Sequence, residues 1–153
     1  MWSKTPNFPV EPLNNFSVSF QVSVPFNYGI GIQPISLTFT EPADGSVAVV
    51  SGWGYYDDEL TLSSQLQAVN VFITSRSECN YAHSGITENM ICAGVPGGDK
   101  GGCIYDYGGP LVIGGQLVGI GTWTLTCGDP FYPDVYSNVA TLRSFITEQT
   151  GVQ

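Results

Sequence analysis

Cys103-Ile104-Tyr105-Asp106-Tyr107-Gly108-Gly109-Pro110-Leu111-Val112 is a turn-forming run that passes straight into an apolar one. Gly108 and Gly109 suit a tight turn, and Pro110-Leu111-Val112 opens a short buried strand. Proline has no N–H to offer a strand ladder, so Pro110 is tolerated at the strand's first position. Two apolar stretches flank this run. Asn89-Met90-Ile91-Cys92-Ala93-Gly94 lies upstream. Val118-Gly119-Ile120-Gly121-Thr122-Trp123-Thr124 lies downstream, followed by Cys127. Short apolar runs bounded by glycine are the signature of buried strands.

The same pattern extends outward. Leu111-Val112-Ile113 and Gln116 to Trp123 read as a hairpin. Gly114-Gly115 forms its two-residue turn, where both positions need positive φ. Val47-Ala48-Val49-Val50-Ser51-Gly52-Trp53-Gly54 is apolar and β-branched, and Leu66 to Ile73 reads as its partner strand. In Asn14 to Pro25, Phe16, Val18, Phe20, Val22 and Val24 alternate with mostly polar residues, which predicts a half-buried strand. Residues 26–45 connect, punctuated by Gly29, Gly31, Pro34, Pro42 and Gly45. Helices are few. Thr74 or Ser75 can cap a short one through Arg76-Ser77-Glu78-Cys79. Leu142, Phe145 and Ile146 form one apolar stripe near the C-terminus, and Gly151 stands where a cap belongs.

Composition narrows the class. With 153 residues the chain is one domain, or one domain plus a piece of another. Only 11% of residues are charged, while 19 are glycine and 10 proline, a turn-rich balance that favours short strands. Net charge is −9, so nucleic acid and anionic membranes are poor partners. The charge reads first as a solubility device, with a cationic partner as the alternative. No C-x-x-C spacing occurs among the four cysteines, so neither a metal site nor a redox motif is expected, and three disulfide pairings are open. No run of about 18 apolar residues exists to span a membrane. No signal peptide is visible in residues 1–25. Asn15-Phe16-Ser17 is a glycosylation sequon, used only if the chain enters the secretory route.

Taken together, Met90 to Gly94, Cys103 to Val112 and Val118 to Cys127 resemble the active-site region of the trypsin/chymotrypsin-like serine proteases. That family carries C-x-G-D-S-G-G-P-L-V. Val50-Ser51-Gly52-Trp53-Gly54 is similar to its V-S-G-W-G strand, and Ile32-Gln33-Pro34-Ile35-Ser36-Leu37 to its inter-barrel linker. Pro133-Asp134-Val135-Tyr136 to Val139 resembles its P-G-V-Y-x-x-V strand. Residues 14–25 are similar, more loosely, to a strand near the end of its first barrel. The resemblance implies an all-β fold: a six-stranded antiparallel barrel, the second of the trypsin-like fold, with a remnant of the first and a C-terminal helix. It implies residues 1–45 as remnant and linker, and 46–153 as the second barrel. It selects disulfides Cys79–Cys92 and Cys103–Cys127, and with them an extracellular setting. An absent signal conflicts with that setting unless the chain is truncated at its N-terminus.

The chemistry implied by the family is then checked residue by residue. Acylation needs a hydroxyl nucleophile, an imidazole base, an orienting carboxylate and two backbone N–H donors for the oxyanion. Tyr107 stands at the nucleophile position, and its phenol oxygen lies too far from the backbone to replace a serine oxygen. Asn15 stands at the orienting-acid position, where an amide in place of the acid costs ~10⁴ in turnover. Tyr105 replaces the glycine of the oxyanion hole, so the hole formed by Tyr105 and Tyr107 is expected to be distorted or collapsed. Asp106 matches the family's Asp but lacks the new N-terminal amine that Asp binds, leaving it solvated or bonded to local backbone. The specificity pocket maps to Gly101, Thr124 and Asp134. Asp134 is either a relocated pocket carboxylate or an ordinary strand-end residue. His83, the sole histidine, reads as a solvated loop residue. The family's I-V-G-G start and A-A-H-C segment do not occur in the sequence. No catalytic residue and no cofactor is expected. The expected function is a non-catalytic homologue: a module that binds a protein partner, a decoy, or a degenerate fragment. A serine-type endopeptidase is the alternative.

Overall fold

Alternation makes residues 47–52 a strand with one buried face: Ala48 and Val50 point inward, Val47 and Val49 outward. The computed structural model describes residues 22–57 and 60–152. Within them the strands are β1 (Ser36–Leu37), β2 (Val47–Gly52), β3 (Gln67–Thr74), β4 (Met90–Gly94), β5 (Pro110–Ile113), β6 (Gln116–Trp123) and β7 (Asp134–Asn138). The helices are α1 (Arg76–His83) and α2 (Val139–Thr150). Strands β2, β3, β4, β7, β6 and β5 pair antiparallel in that order, and β5 returns to β2. The result is a closed six-stranded barrel. Closure leaves no edge among those six strands to recruit another chain.

The barrel is filled by Ala48, Val50, Val71, Ile73, Ile91, Ala93, Leu111, Val118 and Tyr136. Gly119 on β6 makes room for them, because a Cβ there would touch Tyr136 and Leu111 at 3.0–3.2 Å. Two register shifts, at Leu111/Val112 and at Gly121/Trp123, bend β5 and β6 enough to close the ring. Gly114 and Gly115 turn the β5–β6 hairpin at φ +56° and +80°.

Helix α1 runs to His83, four residues beyond the expected end. Ser75 caps it, accepting from the Glu78 amide at 3.2 Å and donating to the Glu78 carboxylate at 2.7 Å. Both disulfides form as the resemblance implies, Cys79–Cys92 and Cys103–Cys127. The first fastens α1 to β4. Asn138 caps α2 and is fully buried; its amide donates to Glu41 and to the Glu88 carbonyl. Glu41 also pairs with Arg76 at 2.6 Å. Arg143 lies 3.6 Å over the Phe39 ring and donates to the carbonyls of Leu37 and Thr38. These contacts strap the linker along the barrel, where β1 adds to β6 in parallel.

The expected strand at residues 14–25 lies mostly outside the described residues, and its described end, residues 22–25, is irregular. No helix among the described residues is long and apolar enough to cross a membrane.

Leu111 is fully buried and Val49 is not. Leu111→Ala is expected to cost ~3 kcal/mol through lost transfer energy and the cavity it leaves. Val49→Ala should cost under ~1 kcal/mol. Urea unfolding followed by tryptophan fluorescence measures both.

Candidate functional site

The turn at 103–109 is built from the backbone outward. The Asp106 amide donates to the Cys103 carbonyl at 3.0 Å and the Gly109 amide to the Asp106 carbonyl at 2.9 Å, which folds the segment on itself. Gly108 then donates to the Gly121 carbonyl at 2.7 Å, and the Gly121 amide to the Gly109 carbonyl at 2.9 Å. Strand β6 therefore holds the turn from one side, and the Cys103–Cys127 disulfide anchors its start.

Asp106 ties the other side. Its Oδ1 accepts the Gly54 amide at 2.7 Å, and its Oδ2 accepts the Cys103 amide at 3.1 Å. A Cβ on Gly52 or Gly54 would run into this carboxylate. Asp106 is thus bonded to local backbone, one of the two fates expected for it.

Tyr105 has φ +76°, in the left-handed region where a residue with a Cβ is strained by about 1–2 kcal/mol. The side chain has changed, yet the backbone keeps a conformation that suits glycine. Neither the Tyr105 amide nor the Tyr107 amide donates to a protein acceptor among the described residues. Both side chains are exposed, Tyr105 by 64% and Tyr107 by 49%. Asn15 lies outside the described residues.

Gly101, Thr124 and Asp134 are brought together. A Cβ on Gly101 would stand 2.9 Å from Asp134 Oδ2, and Thr124 and Asp134 line one cavity with Tyr107, Trp123 and Tyr136. That cavity measures about 20 Å³, room for a single water. Asp134 opens β7 and is buried, with Oδ2 accepting the Gly102 amide at 2.7 Å. Burial pushes its carboxyl up to about 6; Thr124 and the Gly102 amide oppose the rise and the Asp106 charge adds to it. The Tyr136 hydroxyl is buried beside it, and burial raises its phenol well above the ordinary range.

A wider groove of about 400 Å³ lies next to this cavity. Tyr55, Tyr56, Asp57, Gln67, Lys100 and Asp106 are among its lining residues. No group of three or more His, Cys, Asp or Glu able to hold a metal occurs among the described residues.

His83 is not the solvated loop residue that its sequence position suggests. It ends α1, and its Nε2 donates to the Pro133 carbonyl at 2.7 Å. Its ring meets Trp123 edge-on at 4.5 Å and tilts against Tyr132 at 5.6 Å. The partner is fifty residues away, so no local pattern revealed the contact. His83 thereby braces Trp123, which lines the cavity, and the Tyr132-Pro133 segment that leads into Asp134. The Tyr55–Tyr105 contact, at 5.2 Å between centroids, also left no sequence signal.

Comparison with known proteins places the chain. A family model described as trypsin matches residues 6–146, so the chain belongs to the trypsin family. It is 42% identical over 139 residues to trypsin alpha of Drosophila melanogaster, covering 88% of this chain and 53% of that protein. It is 40% identical over 120 residues to trypsin eta of Drosophila erecta, covering 77% and 46% respectively. Among solved structures it matches neuropsin, described as a serine protease expressed in the limbic system of mouse brain. That match has a TM-score of 0.77 and 35% identity, and covers 80% of this chain and 56% of neuropsin. The chain spans about half the length of the curated relatives it matches.

The Asp134 carboxyl gives a pH signature. Its folded value, about 6, lies above the ordinary 3.8. Its contribution to stability is therefore complete below pH 4 and lost as pH rises through 6. The two-unit difference corresponds to ~3 kcal/mol. The stability of the parent chain relative to Asp134→Asn should fall by up to that amount between pH 4 and pH 7. Denaturant titrations at each pH measure the difference.

Proposed function

We propose that this chain is a non-catalytic member of the trypsin family, a pseudo-protease whose barrel serves as a binding or decoy module for a protein partner. The observation that carries this reading is Tyr107, which stands at the nucleophile position inside an otherwise intact turn. A phenol oxygen there cannot attack a carbonyl held by the Tyr105 and Tyr107 amides, because the ring carries it away from the backbone. Other features support the reading. His83, the sole histidine, uses one ring nitrogen to brace Pro133 and is committed to packing. Asn15 replaces the acid that would orient a base. The cavity beside Thr124 and Asp134 has room for one water. Two disulfides and the relatives' family favour an extracellular setting.

Retained folding favours a binding role over a fragment with no role. The barrel is closed and both disulfides are formed. Similarity to trypsins is the one finding that favours the endopeptidase alternative.

A serine-directed fluorophosphonate probe tests the proposal. Purified chain should label no more than a heat-denatured control, and Tyr107→Ser should not restore labelling, since no imidazole base accompanies it. Labelling of the folded parent above the control would establish an active nucleophile and defeat the proposal.

A further inference from the structure

Tyr55 and Tyr105 meet edge to face, with ring centroids 5.2 Å apart and planes at 89°. Backbone contacts fix this meeting. The Tyr55 amide donates to the Ile104 carbonyl at 3.3 Å, and the preceding Gly54 amide binds Asp106 at 2.7 Å. Tyr105 thus sits between Ile104, bonded to Tyr55, and Asp106, bonded to Gly54. Among the described residues no other pair of tyrosine rings is in contact. Tyr105 is open to solvent and Tyr55 is half-buried, so a diffusing oxidant reaches the pair. Contact with Tyr105 raises the Tyr55 phenol above its ordinary range, and burial adds to the rise.

We infer that Tyr55 and Tyr105 form an oxidative modification site, where a peroxidase-class oxidant with hydrogen peroxide couples the two phenols into an intrachain dityrosine. Each phenol gives up one electron and one proton to become a tyrosyl radical. The radicals join through a new carbon–carbon bond between ring positions next to the hydroxyls. The hydrogens on those carbons then return to the phenol oxygens. The pair loses two hydrogen atoms in all, and one peroxide takes up the two electrons and two protons to become two waters. A fixed neighbour makes the coupling intramolecular. Radicals on Tyr81, which is almost wholly exposed and has no ring partner among the described residues, are expected to couple with another chain or be quenched.

The link would join two turns fifty residues apart. One carries Tyr55 on the lip of the 400 Å³ groove, and the other carries the strained backbone of Tyr105. The Cys103–Cys127 disulfide already secures the second turn, so the new bond extends an existing cross-link toward β2. The inference concerns phenol geometry alone and stands whether or not the chain is catalytic.

The test treats dilute, full-length chain with a haem peroxidase and hydrogen peroxide. The expected product is a monomer with dityrosine fluorescence and a mass lower by two hydrogens. Peptide mapping should join the Tyr55 peptide to the Tyr105 peptide. Its Tm should rise by roughly 10 °C, by analogy with a disulfide closing a loop of that length. Tyr55→Phe and Tyr105→Phe should each abolish the intrachain product, and Tyr81→Phe should leave it unchanged. Mapping of the parent protein decides the matter even if a variant folds poorly. Absence of the 55–105 link, or covalent dimers through Tyr81 in its place, would overturn the inference.

Discussion

Gly121 is where the closure of the barrel and the position of the turn become one constraint. It lies on β6, the strand that pairs with both β5 and β7 and so completes the ring. Its carbonyl and amide are also the two groups that hold Gly108 and Gly109. A side chain there would press on the Asp106 carbonyl at 3.2 Å. The ring cannot close with β6 displaced, and the turn cannot move without β6. The geometry of residues 103–109 therefore comes with the fold and needs no contribution from the side chains at 105 and 107.

That dependence explains how a protease-like turn keeps its backbone with tyrosines at 105 and 107. Tyr105 keeps a left-handed backbone at an energetic cost, because hydrogen bonds on both flanks over-determine it. Asp106 accepts two amides at either end of its carboxylate, so its burial is satisfied locally. Asp134 is a harder case. It is buried in a cavity with room for one water, beside the Tyr136 hydroxyl, and burial outweighs its hydrogen bonds. A structural aspartate with that much desolvation is expensive to keep, which sets it apart from Asp106.

Much of the barrel was legible in the sequence because strands with one wet face write an alternating pattern. Val47–Gly52 and the glycine-turned β5–β6 hairpin followed from period and turn chemistry alone. Disulfide pairing did not; four cysteines leave three choices, and only the family resemblance separated them. Beyond Cys79 helix α1 leaves no sequence signal, because Asn80, Tyr81, Ala82 and His83 carry no apolar period. The contacts hardest to see were those made across many residues by groups with ordinary local surroundings. His83 to Pro133, Tyr55 to Tyr105, and Glu41 to both Arg76 and Asn138 all span more than thirty positions. Such contacts depend on strand order, which a one-dimensional pattern does not encode.

The cations carry the last consequence. Three are described: Arg76, Lys100 and Arg143. Arg76 is engaged by Glu41 and by backbone carbonyls, and Arg143 by Phe39 and the linker carbonyls. Two of the three thus fasten residues 37–41 to the barrel. Lys100 lines the wide groove among Asp57, Asp99 and Asp106. The net charge of the chain is −9. For the protein partner proposed above, a chain of that sign with exposed Trp53, Tyr56, Tyr105 and Tyr107 would favour a basic surface. In the binding role proposed for this barrel, Tyr105 and Tyr107 would supply apolar contact area where the family's pattern has a glycine and a serine.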